Sequence, residues 1–361
     1  MSEQRRPARI GIIGTGWWAT YAHLPSLTTY PRAEVVAIAD PSPERLAQAA
    51  ERFGIAAQFA DYRTMLNRGD LDGVVVATPH ATHYAVATDV LQRGIGLMLE
   101  KPMVLRAREA RELVRLAEER RVPLVVGYPY HFIDQLARLR MRIAQGALGQ
   151  IQLSHALFAS MVLEYYRANP QAYAEVFRWE VTGPLPGTYS EPSVAGGGQG
   201  HLQVTHSAAL LLWLTDLRPL EVAAFMESFD VKVDVCDAIS VRFEGGSVGT
   251  LASTGGIPTS HSGHQQLELR IYGSGGYALL DAMAGTCTIF FNDGSIEQFD
   301  EVAPDQRYPL EATSRHLVDL ILDDAVVNTS SGEIGARTVE LLEAAYRSAA
   351  ERRVVRVGEL G

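Results

Sequence analysis

The chain has 361 residues, of which 47% are hydrophobic and 20% charged, and its formal net charge is -10. This length exceeds what one compact core usually needs and indicates two domains. The acidic balance argues against nucleic acid or an anionic membrane surface as the main partner, and no apolar stretch reaches the ~18–20 residues of a membrane span.

The cysteines and the first residues bear on location. Cys236 and Cys287 are the two cysteines, and they lack the spacing of a zinc site, so we expect no metal and a reducing cytoplasm. Arg5 and Arg6 allow a twin-arginine export signal as an alternative. The apolar run after them is short and leads into a glycine turn, which favours a solvated tail and a cytoplasmic protein.

The first part of the chain alternates between strand and helix patterns. The predicted strands are Ala8–Ile13, Ala33–Ala39, Asp72–Ala77, Gly96–Leu99 and Val122–Val126. The predicted helices between them are Trp18–Leu27, Pro43–Phe53, Ala81–Gln92 and Ala107–Glu119. Such an alternation is typical of a doubly wound parallel sheet, so we predict an α/β Rossmann domain over residues 1–128.

The rhythm changes after about residue 148, where strand patterns follow one another. They cover Ile151–Phe158, Glu221–Phe229, Ala238–Phe243, Ser247–Ser253, Leu267–Tyr272, Tyr277–Ala282 and Thr286–Phe291. This pattern predicts an α+β domain over residues 129–361, built on a large, mainly antiparallel open sheet. Helices predicted at Gly200–Leu214, Ser314–Leu322 and Gly332–Arg352 would cover one face of that sheet or pack back on the first domain.

A glycine turn follows the first predicted strand and opens the first predicted helix. It reads Gly14-Thr15-Gly16-Trp17-Trp18-Ala19. Gly14 allows the tight turn, Gly16 lets the backbone approach a pyrophosphate, and Ala19 still allows close packing of helix on strand. The start of the helix offers free N–H groups and the positive end of its dipole to phosphates. We therefore predict a dinucleotide site here, the alternative being a glycine-rich turn without a cofactor.

Asp40 ends the second predicted strand, where a carboxylate can accept hydrogen bonds from a ribose diol. It would repel a 2′-phosphate, which favours NAD over NADP, although nearby Arg45 weakens that preference. The alternative role for Asp40 is to cap the helix that begins near Pro43.

Glu100-Lys101-Pro102 follows the predicted strand Gly96–Leu99, at the sheet edge where ligands bind in open parallel sheets. Lysine occurs only at Lys101 and Lys232 in a chain rich in arginine. A partly desolvated lysine has a lowered pKa and can polarise a hydroxyl or take part in proton transfer. The alternative is a surface lysine at a strand end.

With these motifs in order, nearly the whole chain resembles the Gfo/Idh/MocA oxidoreductases, the family of glucose–fructose oxidoreductase and the inositol dehydrogenases. The matching segments are Gly11-Ile12-Ile13-Gly14-Thr15-Gly16, Ala39-Asp40-Pro41, Ala77-Thr78-Pro79-His80 with His83, Glu100-Lys101-Pro102, Gly127-Tyr128-Pro129-Tyr130, Gly196-Gly197-Gly198 with His206, and Glu343-Ala344-Ala345-Tyr346.

The resemblance implies NAD or NADP as cofactor and a sugar, cyclitol or related polyol as substrate. It implies that Lys101 lies at the reacting hydroxyl, with Thr78, Pro79, His80, His83 and Glu100 near the cofactor. It also implies a homodimer or homotetramer formed through the C-terminal sheet.

The sequence departs from the family pattern after the glycine-rich stretch. The family usually has an aspartate one helical turn before its histidine, and that position is Leu202 here, while His206 matches the histidine. On a regular helix Gln199, Gln203 and His206 would share a face. We therefore predict that Lys101 and His206 share the acid–base work and that Gln203 orients the substrate.

Other residues are candidates for substrate or cofactor contact. His201 is the alternative to Gln203 as supporting group, and Tyr130 is predicted to contact substrate. Trp17 and Trp18 are predicted to wall the nicotinamide or substrate pocket, with the helix–sheet interface as the alternative for one of them. Four further aromatic residues belong either to the core or to a sugar-stacking surface, and these are Tyr165, Tyr166, Trp179 and Tyr189.

Together these observations predict an NAD-dependent dehydrogenase of a sugar or polyol secondary alcohol. One alternative is an enzyme that cleaves glycosides by transient oxidation and elimination, without net redox change. Another is a non-catalytic dinucleotide sensor, which the presence of Lys101 disfavours.

Overall fold

A computed structural model describes residues 6–179 and 181–360, so Arg5 of the twin-arginine pair lies outside the described residues. The chain forms two sheets. The first has six parallel strands in the order β3-β2-β1-β4-β5-β6. The strands are β1 (Ala8–Ile13), β2 (Ala33–Ala39), β3 (Gln58–Phe59), β4 (Gly73–Val76), β5 (Gly96–Leu99) and β6 (Leu124–Val126).

The strand order reverses between β1 and β4, which creates a crevice at the carboxyl ends of these strands. Every residue of β4 and β5 is buried because helices cover both faces of the sheet, as their continuous apolar runs predict. The predicted doubly wound parallel sheet is confirmed.

The second sheet has nine strands in the order β14-β13-β12-β11-β7-β10-β9-β8-β15, and β7 with β10 is its parallel pair. Its other neighbouring strands pair antiparallel, so the prediction of a mainly antiparallel sheet is confirmed. The strands are β7 (Ile151–Ala159), β8 (Pro219–Glu227), β9 (Cys236–Phe243), β10 (Val248–Thr254), β11 (Gln266–Gly273), β12 (Gly276–Asp281), β13 (Thr286–Phe291), β14 (Ile296–Gln298) and β15 (Val355–Arg356).

Helices pack on both sheets. The α-helices are α1 (Leu24–Thr28), α2 (Pro43–Phe53), α3 (Tyr62–Leu66), α4 (His83–Gln92), α5 (Ala107–Arg120), α6 (Asp134–Ala144), α7 (Leu163–Tyr166), α8 (Ala174–Phe177), α9 (Gly187–Ser190), α10 (Pro192–Ala195), α11 (Thr205–Thr215), α12 (Ala312–Leu322) and α13 (Gly332–Glu351). Two π-helical turns, Ala19–His23 and Gly200–Val204, lead directly into α1 and α11. No helix among residues 6–179 and 181–360 is long and apolar enough to cross a membrane.

The last helices return to the first sheet, one of the two arrangements that the sequence allows. Helix α12 packs on β4, β5 and β6, and the missing Cβ atoms of Gly73 and Gly96 make room there for the side chain of Ile321. Helix α13 packs both on α5 and on β8. It therefore connects the two sheets, and one hydrophobic core runs through both.

Several elements differ from the sequence predictions. The segment Trp18–Leu27 is helical but includes a π-helical turn, as does Gly200–Leu214. Helix α6 and the short strands β3, β14 and β15 are absent from the predictions. The short strands have two or three residues each, too few to establish a periodic pattern.

Candidate active site

The glycine turn joins β1 to the helix that starts with the first π-helical turn. Gly14 has a φ of 89°, and a Cβ there would lie 2.5 Å from the carbonyl oxygen of Ala77 on the neighbouring strand, so the turn requires glycine. At Gly16 a Cβ would meet no atom within 4 Å. Since Gly16 lines the large cavity described below, its bare backbone leaves room for a ligand.

Asp40 ties this turn to the end of β2. Its Oδ2 accepts a hydrogen bond from the Thr15 N–H at 2.9 Å, and its Oδ1 accepts bonds from the Ser42 N–H and the Arg45 guanidinium, both at 2.8 Å. The cap of α2 is instead the Ser42 side chain, which accepts from the Arg45 N–H at 3.4 Å. Asp40 and Arg45 both line the cavity, so they lie where a dinucleotide ribose would be read.

Glu100 is buried at the end of β5 and is held from three directions. Its Oε1 accepts from Trp18 Nε1 at 2.9 Å and lies 3.0 Å from His23 Nε2, and its Oε2 accepts from the Lys101 N–H at 3.1 Å. Burial alone would raise the pKa of Glu100, but the hydrogen bond and charge of His23 and the charge of Lys101 lower it below its usual value. Glu100 is therefore a fixed carboxylate rather than a proton donor.

Lys101 follows Glu100, and its ammonium reaches across the cavity to the other half of the molecule. Nζ donates a hydrogen bond of 3.0 Å to the backbone carbonyl oxygen of Leu202. Burial lowers the pKa of Lys101 to about 8, and the charge of Glu100 opposes this only in part. The residue that replaces the family aspartate thus still contacts the lysine, through its backbone carbonyl.

Leu202 lies in the second π-helical turn, Gly200–Val204, and this turn is held by a buried carboxylate. Asp234 accepts hydrogen bonds from the N–H groups of Gly198 and Gly200, both at 2.7 Å, and from the hydroxyl of Tyr346 at 2.9 Å. A Cβ at Gly198 would lie 2.0 Å from the Asp234 carbonyl oxygen, so glycine is needed for this close approach. The position of the Leu202 carbonyl is therefore set by contacts deep in the second domain.

His206 is buried at the start of α11, within a box of aromatic rings. The ring of Tyr130 meets it edge-on at a centroid distance of 5.8 Å, and Tyr128, Phe158 and Tyr308 lie within 6.4 Å. Burial, followed by the charge of Lys101, lowers the pKa of His206 well below its ordinary value. The imidazole is therefore neutral near pH 7, and its Nδ1 has no hydrogen-bond partner among the described residues.

One cavity of about 810 Å³ brings most of the predicted site residues together. It runs from the glycine turn and Asp40 to Lys101 and the start of α11. The predicted residues that line it are Gly14, Gly16, Trp17, Trp18, Asp40, Arg45, Thr78, Pro79, His80, His83, Glu100, Lys101, Tyr130, Gln203 and His206. His83 braces two of these segments, because its ring nitrogens lie 2.8 and 2.9 Å from the carbonyl oxygens of Pro102 and Thr78.

Three predicted positions lie elsewhere in the described structure. Thr15 is fully buried behind the turn, and His201 stacks on Tyr346 at 4.4 Å instead of lining the cavity. The predicted polar stripe is wrong for Gln199, whose amide is buried and bonds to Tyr166, Ser160 and Ser253. The π-helical turn is the reason, because its wider turn rotates Gln199 away from the face of Gln203 and His206.

Sequence reasoning missed several residues that build the site. His23 braces Glu100, Asp234 holds the π-helical turn, and Met283 and Tyr308 complete the cavity wall. His23 lies in an apolar helix directly after the glycine turn, and a histidine in such a place is a signal for a buried polar contact. Asp234 offers no such signal, because it alternates with Val231, Val233 and Val235 as a solvent-facing residue would.

The hydrogen-bond donors at the glycine turn and the open space beside Gly16 fit a dinucleotide. The open backbone at Gly16 and the N–H groups at the start of the following helix suit the pyrophosphate, and Asp40 suits the adenosine ribose. Trp17, Trp18 and the Thr78–His83 segment line the continuation of the cavity toward Lys101. No cluster of three or more metal-ligating side chains occurs in the parts of the chain that the structure describes.

Comparison with known proteins agrees with this geometry. Residues 8–128 match the model "Oxidoreductase family, NAD-binding Rossmann fold", and residues 136–279 match the "GFO/IDH/MocA C-terminal domain". The rhizopine catabolism protein MocA of Rhizobium meliloti is 29% identical over 215 residues, which cover 58% of each chain. The levoglucosan dehydrogenase of Pseudarthrobacter phenanthrenivorans is 25% identical over 299 residues, 74% of this chain and 72% of that protein.

The chain spans between 46% and 58% of the length of three of the curated relatives that it matches. Among solved structures, a levoglucosan dehydrogenase in complex with NADH superposes with a TM-score of 0.78 at 20% identity, covering 98% of this chain and 99% of that chain. At this identity the superposition shows a shared fold.

Proposed function

This chain belongs to the Gfo/Idh/MocA family of NAD-binding oxidoreductases, and from that membership we propose that it oxidises a secondary alcohol of a sugar, cyclitol or related polyol. The observation that carries the proposal is the position of Lys101. Its Nζ reaches the Leu202 carbonyl across the same cavity that the glycine turn lines. A secondary alcohol bound at Lys101 in this cavity would be close both to a group that can accept its proton and to the cofactor site.

The residues divide the work in the proposed reaction. When bound, NAD supplies the nicotinamide ring that accepts the hydride from the carbinol carbon. In its neutral form Lys101 accepts the hydroxyl proton, and it returns that proton in the reverse direction. Neutral His206 hydrogen-bonds the substrate and fixes its orientation. Gln203 hydrogen-bonds a neighbouring hydroxyl group of the substrate. Glu100 stays ionised and stabilises the charged form of Lys101.

The first experiment is a screen of NAD and NADP reduction across monosaccharides, inositols and simple glycosides. With any substrate found, Lys101→Met should lower turnover by roughly a thousandfold, because general acid–base catalysis contributes about 10²–10⁴ in rate. NAD affinity should stay within about threefold of the unmodified chain, since Lys101 is not among the groups that fit the pyrophosphate. Unchanged turnover in Lys101→Met would refute the assignment.

A second candidate function is glycoside cleavage through transient oxidation. One observation favours it, namely that neutral, buried His206 has an Nδ1 without a partner among the described residues and so is a second base beside Lys101. Such a base would remove the proton from the carbon next to a transient ketone, and the glycosidic C–O bond would break as its oxygen leaves with a proton. Water then adds to the resulting unsaturated ketone, and the hydride returns to the carbonyl carbon. Release of sugar without accumulation of NADH identifies this reaction. A dinucleotide sensor without catalysis has no structural observation in its favour.

We also propose that residues 1–128 and 129–361 act as cofactor and substrate domains, and that two or four copies associate through the second sheet. One face of that sheet is left open by the helices and carries apolar side chains. Phe225 is 79% exposed there, and Tyr272, Tyr277 and Phe290 stack in a row across three strands. Such an exposed apolar surface is typical of an interface between subunits. Sedimentation velocity measures how many copies associate in solution.

A further inference from the structure

Four aromatic side chains form one wall of the cavity, and we call them the aromatic wall. They are Trp17, Tyr165, Phe177 and Tyr189. Ring centroids within the wall lie 5.3–6.3 Å apart, with Phe177 5.6 Å from Trp17 and stacked on Tyr165 at 6.3 Å. The wall joins the two halves of the molecule. Trp17 belongs to the glycine turn of the first sheet, and the other three residues come before Gly196-Gly197-Gly198 in the second half of the chain.

The aromatic wall begins beside the reacting centre. The Leu202 side chain belongs to the same apolar cluster as Met161, Val162 and Tyr165, while its carbonyl oxygen accepts the hydrogen bond from Lys101. Where the family pattern has a carboxylate, this chain therefore has an apolar side chain that continues the wall. A substituent on a sugar bound at Lys101 would meet ring and aliphatic surface.

The wall offers few hydrogen-bonding groups to a ligand. Trp17 Nε1 donates to the Tyr189 hydroxyl at 2.9 Å, so the indole N–H is already paired and the Tyr189 hydroxyl keeps one O–H donor. The Tyr165 hydroxyl is buried without a partner among the described residues. A second sugar ring packed here would lose the hydration of several hydroxyls without replacement bonds, which is unfavourable.

The cavity also lacks a place for a charged substituent. The charged side chains among its described lining residues are Asp40, Arg45, Asp61, Glu100 and Lys101, and all come from the first domain. Asp40 pairs with Arg45, Asp61 caps α3, and Glu100 is held by His23. Among the lining residues that the structure describes, Lys101 is then the sole cation at the substrate end, which is too little for a sugar phosphate or a nucleotide sugar.

The mouth of the cavity is apolar as well. Leu185 lines the cavity and is 56% exposed, in the segment between the wall residues Phe177 and Tyr189. Pro184 lies beside it. A leucine exposed at the entrance of a site gains from contact with an apolar group of the ligand.

Resting on the proposed function, we propose that the substrate is an uncharged glycoside with an aromatic or aliphatic aglycone, whose sugar lies at Lys101 and whose aglycone packs on the aromatic wall. The Leu202 side chain and the exposed Leu185 extend the surface for the aglycone. Gln203 and His206 also line the cavity and would hydrogen-bond the sugar hydroxyls.

The test uses titration calorimetry to measure how tightly methyl and phenyl glycosides of glucose, galactose, mannose and xylose bind to the full chain saturated with NADH. The reduced cofactor accepts no hydride, so the glycosides are not oxidised during the titration. For at least one sugar the phenyl glycoside should bind roughly tenfold more tightly or better, because it buries a phenyl ring. Phe177→Ala should reduce this ratio to about threefold or less. Leu185→Ser should also reduce this ratio, and because Leu185 is exposed this substitution should have little effect on the stability of the fold. Phe229→Ala, a matched control at an exposed phenylalanine outside the cavity lining, should leave the ratio unchanged.

The inference is overturned if, for every sugar, the methyl and phenyl glycosides bind with equal affinity. It is also overturned if neither glycoside of any sugar binds detectably. Tighter binding of cellobiose or lactose than of the phenyl glycosides overturns it too, since that would place a second sugar on the wall. NADH formation and sugar release with the same compounds report on the proposed function separately. Oxidation of methyl glycosides without a phenyl advantage keeps the proposed function and refutes the aglycone site. A phenyl advantage in binding without either reaction refutes the proposed function alone.

Discussion

Replacing Leu202 by aspartate should change the protonation of Lys101, because it restores the carboxylate that the family pattern has at this position. The Leu202 carbonyl oxygen lies 3.0 Å from Lys101 Nζ, so a carboxylate on the same residue would lie within about 4–6 Å of the ammonium. The pKa of Lys101 should then rise from about 8 to about 9–11, since an opposite charge at that distance favours the charged form.

The sign of the effect on activity follows from the role proposed for Lys101 in the reaction. Alcohol oxidation needs the neutral amine, so in the unmodified chain the rate should rise with pH and level off above about 8. In Leu202→Asp the rise should move to higher pH, and oxidation at pH 7.5 should fall roughly tenfold or more. The reverse reaction needs the ammonium form, and its decline at alkaline pH should move upward by the same amount.

The chain has only two lysines, which makes a direct measurement possible. In protein carrying ¹³C-labelled lysine, nuclear magnetic resonance should show two side-chain signals, and Lys232→Arg identifies the signal of Lys101. Following that signal across pH reports the protonation of Lys101 without any substrate. Lys232 is exposed, with 66% of its side chain accessible, and serves as the internal reference for sample condition.

Leu202→Asn is the matched control for lost packing. It removes the same apolar contacts with Met161, Val162 and Tyr165 but adds no charge, so the titration of Lys101 should stay near that of the unmodified chain. A Lys101 signal that titrates equally in the Asp and Asn variants would refute the electrostatic reasoning. A midpoint near the ordinary lysine value of about 10.4 in the unmodified chain would refute the effect of burial.

Two further predictions concern the cofactor site and need no substrate. Gly14→Ala should lower the free energy of unfolding, measured in urea, by roughly 3 kcal/mol or more, because φ is 89° and the new Cβ would collide with Ala77. Gly16→Ala should leave the stability unchanged but weaken NADH binding by about tenfold or more in fluorescence titration, because its Cβ would enter the open space of the cavity. Asp40→Asn should raise the affinity for NADPH relative to NADH by about tenfold, since it keeps an acceptor for the Thr15 N–H but removes the charge that repels a 2′-phosphate; an unchanged ratio would show that Arg45 decides the preference.

The sequence predicts the first sheet well because its signals are local. Strands β1 and β2 and helix α2 have the predicted bounds, since apolar runs, Pro43 and the turn residue Gly54 mark their ends. The prediction that the glycine turn, Asp40 and Lys101 meet also depends on a general rule, that carboxyl ends of parallel strands share one edge. These parts of the site could be placed without any tertiary information.

The rest of the site depends on contacts that no periodicity reveals. Gln199 fails the helical-face prediction because Gly200–Val204 is π-helical, and a π-helical turn has no distinctive residue pattern. His201 follows the same rotation and packs on Tyr346. The partner of Lys101 is a backbone carbonyl, and any residue type can supply one, so side-chain identity at position 202 could not disclose it.

The choice of a carbonyl as partner has a consequence that a carboxylate would not have. A carbonyl oxygen accepts a hydrogen bond from an ammonium or from a neutral amine, so it holds Lys101 Nζ in place in both protonation states. A carboxylate would hold the ammonium more tightly and so oppose loss of the proton. Because Asp234 fixes the π-helical turn through the N–H groups of Gly198 and Gly200, the position of that carbonyl does not depend on the charge of Lys101. The position of Lys101 Nζ is therefore set by the π-helical turn, and the protonation of Lys101 is set by burial. Because no carboxylate is needed for either, the Leu202 side chain is free to extend the aromatic wall.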